Sequence, residues 1–495
     1  MTGAIPLPAR LAGAVWGHLA GDALGVPYEF RTAAQITDVE WRGGGAHGQP
    51  SGTWSDDGAL MLALLDSLLQ PRLEAGFDPD DQGRRSLDWF ANGRYAPGGT
   101  VFDWGGATGT AMSALKSGTP AIDAGTSGER DCGNGSLMRI LPLALVERSV
   151  TDERLVEMTH LASRVTHGHP RCQVACALYS LVVRRLVAGA ADRPTVLADA
   201  PSRLRSMYAA ADLAGHLHAL DELEAWTGRS GRGFVLDSFW SAWDAFAGAD
   251  SCRDAVVRAV RYGQDTDTTA AIAGGLAGVY FGVDDIPTEW RAGLREPSIV
   301  RPLVDRLIET DTTHGHWRTS TTSPLRVDEV LFGAVNDWPG RLGITFLPGK
   351  RGTGIAGNHW RDLDADLERL RAWTDTLVLL VEDHELADAG VTQISDTAAG
   401  NGIELIRFPI PDPHIPTDAA AYRAMVQDVA QRIRDGRSVV IACRGGIDRS
   451  GMTAACVLQE LGADPESAIG RTQAGRKGSI TLPEQQAFVR GWRNG

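Results

Sequence analysis

The sequence is poor in sulfur and lacks long apolar runs. Its 495 residues include six cysteines, at positions 132, 172, 176, 252, 443 and 456. So sparse a set excludes a disulfide-built scaffold and suits a reducing compartment, so the expected location is cytoplasmic. Cys172 and Cys176 stand four apart, but no second Cys/His pair follows at zinc spacing. They are expected to be buried and inert. No stretch of about 18 uncharged apolar residues occurs, so no membrane-spanning helix is expected. Met1–Arg10 does not read as a signal peptide, having no basic segment followed by an apolar run and a cleavage site. A long Lys/Arg run is missing too. With 62 acidic against 48 basic residues the net charge is −14. That balance argues against stable nucleic-acid binding, and no membrane partner is expected. Internal repeats and long low-complexity segments are absent.

Glycine, by contrast, is abundant: 58 residues, about 12% against a usual ~7%. Such a surplus points to tight turns or to backbone that approaches a ligand closely. Hydrophobic content of 43% and charged content of 22% fit a folded chain. The length suggests roughly two to four domains. From about residue 9 to 315, apolar helical stretches (Leu60–Leu69, Val174–Val187, Thr269–Val279) alternate with Gly/Asp-rich turns, and strand-like runs are few. This part reads as nearly all-α. The polar segment from Trp317 to Pro324 reads as a linker. Beyond it, the short apolar runs Leu377–Val381 and Ser438–Ala442 each follow a charged helical segment, Leu363–Trp373 and Ala419–Arg434. That alternation predicts a mostly parallel sheet with crossover helices. The expected chain is multidomain: an all-α domain over 1–317, a linker over 318–325, and an α/β domain over 326–495.

Three acidic motifs mark the first domain. They are Gly21-Asp-Ala-Leu-Gly-Val-Pro-Tyr-Glu29, Gly52-Thr-Trp-Ser-Asp-Asp-Gly58 and Gly263-Gln-Asp-Thr-Asp-Thr-Thr269. The last two each open an apolar helix. Ser55 and Thr266 could be plain helix caps, with the acids complementing helix dipoles. Carboxylate and hydroxyl oxygens without sulfur or imidazole also suit a hard cation, Mg²⁺ or Mn²⁺. The four acids Asp56, Asp57, Asp265 and Asp267 match the charge of two divalent ions.

Residues 9 to about 315 resemble the ADP-ribosylglycohydrolase family. The likeness rests on an ordered set: Gly21-Asp-Ala-Leu-Gly25, Trp54-Ser-Asp-Asp57, Asp103-Trp-Gly105, Gly133-Asn-Gly-Ser136, Thr166-His-Gly-His-Pro170 and Asp265-Thr-Asp-Thr268. The resemblance implies that Ser55, Asp56, Asp57, Asp265, Asp267 and Thr268 ligate two Mg²⁺ ions. Ser55 stands where the family often has Thr. Glu29 matches an acid that meets the reacting ribose or orients the attacking water. Asp103 matches a position near the departing group, able to pair with an arginine guanidinium. Gly133, Asn134, Gly135 and Ser136 look like a loop whose amides hold a diphosphate, and His167 is similar to a histidine lining the ADP-ribose cleft. Cleavage at the ribose anomeric carbon develops oxocarbenium character, which an activated water can intercept. Asp57 and Glu29 both remain candidates for the base. The ligand implied is an ADP-ribose-containing small molecule or an ADP-ribosylated macromolecule. A domain that kept the cleft and lost the chemistry would instead be an ADP-ribose sensor, regulating a protein or phosphoinositide phosphatase.

Near the C-terminus the chain reads Val440-Ile-Ala-Cys-Arg-Gly-Gly-Ile-Asp-Arg-Ser-Gly451. An apolar strand precedes the cysteine, and a helix from about Met452 to Leu461 follows. Amides of such a loop converge on an anion, and the helix N-terminus adds positive potential. Those surroundings would favour a thiolate at Cys443. Arg449 could grip two phosphate oxygens.

From about residue 325 onward the chain resembles the protein tyrosine and dual-specificity phosphatases, nearest to the cyclin-dependent kinase inhibitor 3-like type. Leu342-Gly-Ile-Thr-Phe-Leu-Pro-Gly349 and Phe408-Pro-Ile-Pro-Asp412 extend the likeness. By position, Cys443 is the nucleophile, Arg449 binds phosphate, Ser450 assists thiolate release and Asp412 protonates the leaving oxygen. Arg444, Gly445, Gly446, Ile447 and Asp448 make up the loop around the phosphate, with no cofactor. Gln485 is expected to position the hydrolytic water. Ala442 departs from the family, which usually has His there. Asp448 puts a carboxylate in the loop, as in bacterial relatives that also act on phosphoinositides. The whole reads as a bifunctional hydrolase, acting on a phosphorylated ADP-ribose or on a doubly modified protein. Gly21, Gly25, Gly52, Gly58, Gly133 and Gly135 are expected to serve the metal and diphosphate loops, and Gly445, Gly446 and Gly451 the phosphate loop.

Overall fold

Helices dominate the first part of the chain and a sheet organises the second. The structure, a computed structural model, describes residues 5–71, 76–210, 213–311, 315–330, 338–353 and 357–492. It divides into two compact units, Met1–Thr310 and Asp311–Gly495. Residues 1–4, part of the N-terminal stretch considered above, lie outside the described residues. No helix is long and apolar enough to cross a membrane among those described.

The first unit is helical, and the helices that matter for its site are α1 (Leu7–Gly25), α2 (Asp56–Leu68), α3 (Pro170–Val187) and α4 (Thr266–Phe281). The predicted runs from Leu60, Val174 and Thr269 fall in α2, α3 and α4. Helices α1 and α4 are buried on nearly every side, so their sequences show little amphipathic contrast. Their contact explains much of the glycine surplus. Gly13, Gly17, Gly21 and Gly25 recur every fourth residue and so share one face of α1. A Cβ at Gly13 would lie 2.1 Å from the Gly278 carbonyl oxygen, at Gly17 2.4 Å from that of Gly274, and at Gly21 2.1 Å from that of Ala270. At Gly25 it would lie 2.4 Å from the Asp267 Cα. The two backbones therefore touch. Gly21 and Gly25 do not line a ligand loop, as their motif had suggested: they let α4 approach closely enough to bring Asp267 beside the end of α1. Gly17→Ala is expected to destabilise this unit by about 1–3 kcal/mol through overpacking. Chemical denaturation would show it as a lower midpoint with an unaltered slope.

The second unit carries β1 (Trp317–Arg318), β2 (Asp328–Glu329), β3 (Leu342–Phe346), β4 (Arg351–Gly352) and β5 (Asn358–Trp360). Next come α5 (Leu363–Arg371), β6 (Thr376–Leu379), α6 (Asp383–Asp388), β7 (Glu404–Arg407), α7 (Ala419–Arg434), β8 (Val439–Cys443) and α8 (Asp448–Glu460). Among the described residues the main sheet has the order β2–β3–β8–β6–β7, with β2–β3 antiparallel and the other pairs parallel. A small second sheet has the order β1–β5–β4. Residues of β8 alternate between two cores, as the two-residue period of a strand requires. Val439, Ile441 and Cys443 join the core that includes Tyr422, Val426 and Met452. Val440 and Ala442 join the core of Leu363, Leu367 and Leu370.

Two boundaries differ from the sequence reading. Helix α8 starts at Asp448, four residues earlier than expected, so Asp448, Arg449 and Ser450 form its first turn. The Thr/Ser-rich segment read as a linker is folded into the second unit. Its Trp317–Arg318 pairs with β5. The carbonyls of Thr319 and Ser323 accept bonds from buried Arg361 at 3.3 and 2.7 Å, whose guanidinium is also held by Asp366. Polar composition suggested solvent exposure, yet a buried guanidinium satisfies those carbonyls instead.

Candidate active sites

The first site gathers where α1 ends and α2 and α4 begin. Ser55 caps α2, its Oγ accepting from the Asp57 amide at 3.3 Å. The same hydroxyl donates to Asp57 Oδ2 at 3.0 Å, and Thr268 Oγ1 donates to that oxygen at 3.2 Å. Asp22 of α1 binds the loop from beneath. Its carboxylate accepts from the amides of Ser55 at 2.9 Å and Gly58 at 2.8 Å. Asp22, Asp57 and Asp267 are each fully buried and offer carboxylate oxygens within 4.8 Å of one another. Asp57 Oδ1 and Asp267 Oδ2 have no hydrogen-bond partner among the described residues. Burial first, and the neighbouring acids second, push Asp56, Asp57 and Asp267 well above the usual carboxylate range. Burial raises Asp22 to about 7. Like charges so placed, with oxygen atoms left unpartnered, fit a hard divalent cation. Of the six ligand positions expected, Ser55, Asp57, Asp267 and Thr268 are linked directly by these contacts. Asp56 is buried beside them. Asp265 is tied to Asn134, whose Nδ2 donates to its Oδ2 at 2.8 Å.

A second acidic group adjoins the first. Glu29, Asp103 and His47 offer ligand atoms within 4.8 Å of one another. His47 Nε2 bonds Glu29 and lies 3.4 Å from Asp103 Oδ1. Burial, then Asp267 and Asp265, raise Glu29 to about 10. Burial, then Asp56, raise Asp103 to about 9. Three residues here hold positive φ without being glycine: Phe30 at 64°, Asp103 at 68° and Gln264 at 61°. Such conformations are costly and gather at functional sites. Phe30 and Gln264 also bond the two acidic loops together, with Phe30 N donating to Gln264 O at 2.7 Å and Gln264 N to Arg31 O at 2.6 Å.

The expected diphosphate loop is anchored by its side chains. Asn134 Nδ2 also donates to Ser238 Oγ at 2.9 Å. Ser136 is fully buried, and its hydroxyl meets Ser163 and Cys176 in the core. His167, 3% exposed, packs under Gly133 and Gly135. A Cβ at Gly135 would meet its ring at 2.7 Å. Burial, then the Arg139 guanidinium, lower His167 to about 3. His167 is thus a neutral support for the loop, with Nδ1 and Thr166 Oγ1 2.8 Å apart.

In the second unit, Cys443 ends β8 directly opposite Phe346 of β3. Its Sγ lies 3.3 Å from Ser450 Oγ. Gly446 turns the loop at φ 64°, where a Cβ would sit 2.5 Å from the Thr345 carbonyl oxygen. Arg476 grips the loop from outside, donating to the carbonyls of Gly446 at 2.8 Å and Gly445 at 3.2 Å. Arg449 is buried and forked onto Glu385 of α6 at 2.7 and 2.8 Å, with a third bond to the Ile410 carbonyl. Its Nε lies 3.2 Å from Asp412 Oδ1. The nucleophile, arginine and acid expected from the sequence therefore converge, and Arg444 to Ile447 form the connecting loop. Asp448 does not face it: its carboxylate accepts from the amide and hydroxyl of Thr481 at 2.7 and 2.9 Å. Gln485 is buried and donates to the carbonyls of Pro413 and His414, next to Asp412. Ala442 faces the opposite core from Cys443, so the departure at this position is a packing feature on the far side of the sheet.

Asp22, His47, Glu385, Lys350 and Arg476 were not singled out from the sequence. Asp22 stood inside the Gly21–Glu29 motif. The other four lie in loops or short helices without local pattern.

Both parts of the chain match known families. Residues 5–316 match the family described as ADP-ribosylglycohydrolase. Residues 310–469 match that of cyclin-dependent kinase inhibitor 3. The ADP-ribosylarginine hydrolase of Pseudomonas putida is 29% identical over 307 residues, covering 61% of this chain and 78% of its own. The ADP-ribosyl-[dinitrogen reductase] glycohydrolase of Rhodospirillum rubrum is 28% identical over 309 residues, covering 60% and 95%. A solved structure described as an ADP-ribosylglycohydrolase-related protein complex is 30% identical with a TM-score of 0.50, covering 62% of this chain and 99% of its own.

Proposed function

The chain belongs to the ADP-ribosylglycohydrolase family, and on that premise we propose that its first unit hydrolyses an ADP-ribosyl linkage with Mg²⁺ while its second hydrolyses a phosphate monoester. The observation that carries the first reading is the buried set Asp22, Asp57 and Asp267, with two carboxylate oxygens left unpartnered. Ser55, Asp56, Asp57, Asp265, Asp267 and Thr268 would hold two Mg²⁺ ions, with Mn²⁺ a substitute. Bound there, the cations would hold the ribose hydroxyls and so fix the sugar in the cleft.

The protein's own groups supply the proton transfers. Asp57 Oδ2 already accepts from Ser55 and Thr268, which suits a ligand better than a base. Burial, then neighbouring acids, raise both Glu29 and Asp103. With cations held by those acids, Glu29 would again be a carboxylate. It then takes the proton of the attacking water, while Asp103 gives one to the departing nitrogen. His47 bridges the two acids and lets them exchange protons afterwards. Because the Pseudomonas putida relative is an ADP-ribosylarginine hydrolase, an ADP-ribosylated arginine is the first substrate to offer.

In the second unit, Cys443 attacks phosphorus and the ester oxygen leaves with a proton from Asp412. Water then displaces the cysteine, with Ser450 easing release of the thiolate. Arg449 and the amides of Arg444 to Ile447 hold the phosphoryl oxygens. The 3.3 Å contact between Ser450 Oγ and Sγ carries this reading. The test is a panel of ADP-ribosylated arginine peptide, ADP-ribose 1″-phosphate and p-nitrophenyl phosphate, with Mg²⁺ or chelator. The expected outcome is chelator-sensitive release of ADP-ribose and chelator-insensitive release of phosphate. Equal turnover of the arginine conjugate with and without chelator would remove the metal.

A further inference from the structure

Beside the Cys443 loop lies a cationic cluster that the phosphatase chemistry does not use. It gathers around the ring of Phe346, the residue opposite Cys443 in the β3–β8 register. Lys350 Nζ stands 5.0 Å from that ring centre, and the His359 ring 5.7 Å from it. Lys350 Nζ also lies 3.4 Å from the Arg444 carbonyl oxygen, within the loop itself. The backbone bearing Lys350 is fixed, since the preceding Gly349 amide donates to Asp366 at 2.9 Å. His359 is 5% exposed, yet neither ring nitrogen has a hydrogen-bond partner among the described residues. Leaving such a group unsatisfied is costly, and a ligand can recover that cost.

Charge points the same way. Among the described residues no carboxylate pairs with Lys350. Arg361, which also lies over Phe346, is consumed by Asp366. Burial first, then the Arg361 guanidinium, lower Lys350 to about 8 against an opposing pull from Cys443, with smaller contributions from Arg444 and Arg476. Burial, then Lys350, Arg361 and Arg318, lower His359 to about 3. His359 is therefore a neutral donor and acceptor beside a poorly compensated ammonium. One phosphoryl group in the loop is already matched by Arg449 and the loop amides, leaving Lys350 and His359 for another anion.

We propose that the substrate of the second unit is a phosphate monoester bearing a second phosphoryl group, and that Lys350 and His359 bind that second group. The inference rests on the phosphatase reading of this unit and deepens it. It is tested by calorimetric binding of inorganic pyrophosphate and inorganic phosphate to full-length Cys443→Ser protein without divalent cations. Pyrophosphate should bind on the order of tenfold more tightly than phosphate. That ratio should fall to about one in Cys443→Ser combined with Lys350→Ala or with His359→Phe. Using the ratio cancels any general damage to the loop. Equal affinities in the parent protein, or a ratio that survives both substitutions, would overturn the proposal. Turnover of p-nitrophenyl phosphate by the unsubstituted protein is read separately, so a failed phosphatase reading is told apart from a failed second-anion site.

Discussion

Asp267→Asn should lower Mg²⁺-dependent ADP-ribosyl hydrolysis by on the order of 10³-fold. The side chain is fully buried, so its charge is felt at high strength by whatever it faces. Oδ1 accepts from the Thr268 amide at 2.9 Å, while Oδ2 has no partner and lies with Asp22 and Asp57. Asparagine keeps the shape and the bond to Thr268 and removes one negative charge. The metal-free variant should therefore melt no lower than the unsubstituted protein, since repulsion among buried acids is relieved. Mg²⁺ should stabilise the unsubstituted protein by about 2.7 kcal/mol at a hundred times its dissociation constant, and the variant far less. Thermal melting with and without Mg²⁺ reads this directly. A variant that Mg²⁺ stabilises as strongly as the parent would remove Asp267 from the ligand set.

The second large effect is expected at Glu385→Ala, which should cost about 3–5 kcal/mol because it leaves Arg449 buried without its carboxylate. For a unit of this size that is a fall of roughly 10 °C in its melting transition. Phosphate release should fall too, because the Glu385 fork sets the direction of the guanidinium. The pair also predicts a pH dependence. Burial, the largest single influence, would raise Glu385, but the Arg449 guanidinium, the Glu382 amide and the Arg444 charge together outweigh it and hold the carboxyl below its ordinary 4.5. The stabilisation is therefore present above the ordinary glutamate value and is lost as pH falls below it. Melting of Glu385→Gln should show a shallower loss of stability on acidification. An acid limb as steep as that of the parent protein would contradict this account of Glu385.

Candidate site residues that lie in short contiguous motifs were legible in the sequence: Ser55 to Asp57, Asp265 to Thr268, and the loop from Cys443 to Ser450. Each sits where a loop becomes a helix, so its composition is locally constrained. Residues that act across the fold were not. Asp22 binds the Ser55 and Gly58 amides from 33 and 36 positions away in sequence, and Glu385 meets Arg449 from 64 positions away. His47 stands in a Gly-rich loop with no period to mark it. The glycines of α1 were misread because a one-dimensional motif cannot distinguish a backbone that approaches a ligand from one that approaches another helix. The parallel sheet was legible from its apolar runs. The fold of Trp317 to Pro324 was not, because its polar groups are satisfied by Arg361 from a distant part of the chain.

The central claim is that one chain carries two hydrolytic sites that work independently. It is tested most directly by crossing Asp57→Asn and Cys443→Ser against both reactions in the full-length protein. The account predicts that Asp57→Asn loses hydrolysis of the ADP-ribosyl-arginine conjugate and keeps p-nitrophenyl phosphate turnover, and that Cys443→Ser does the reverse. Loss of both reactions in either correctly folded variant, or of neither in both, would contradict it.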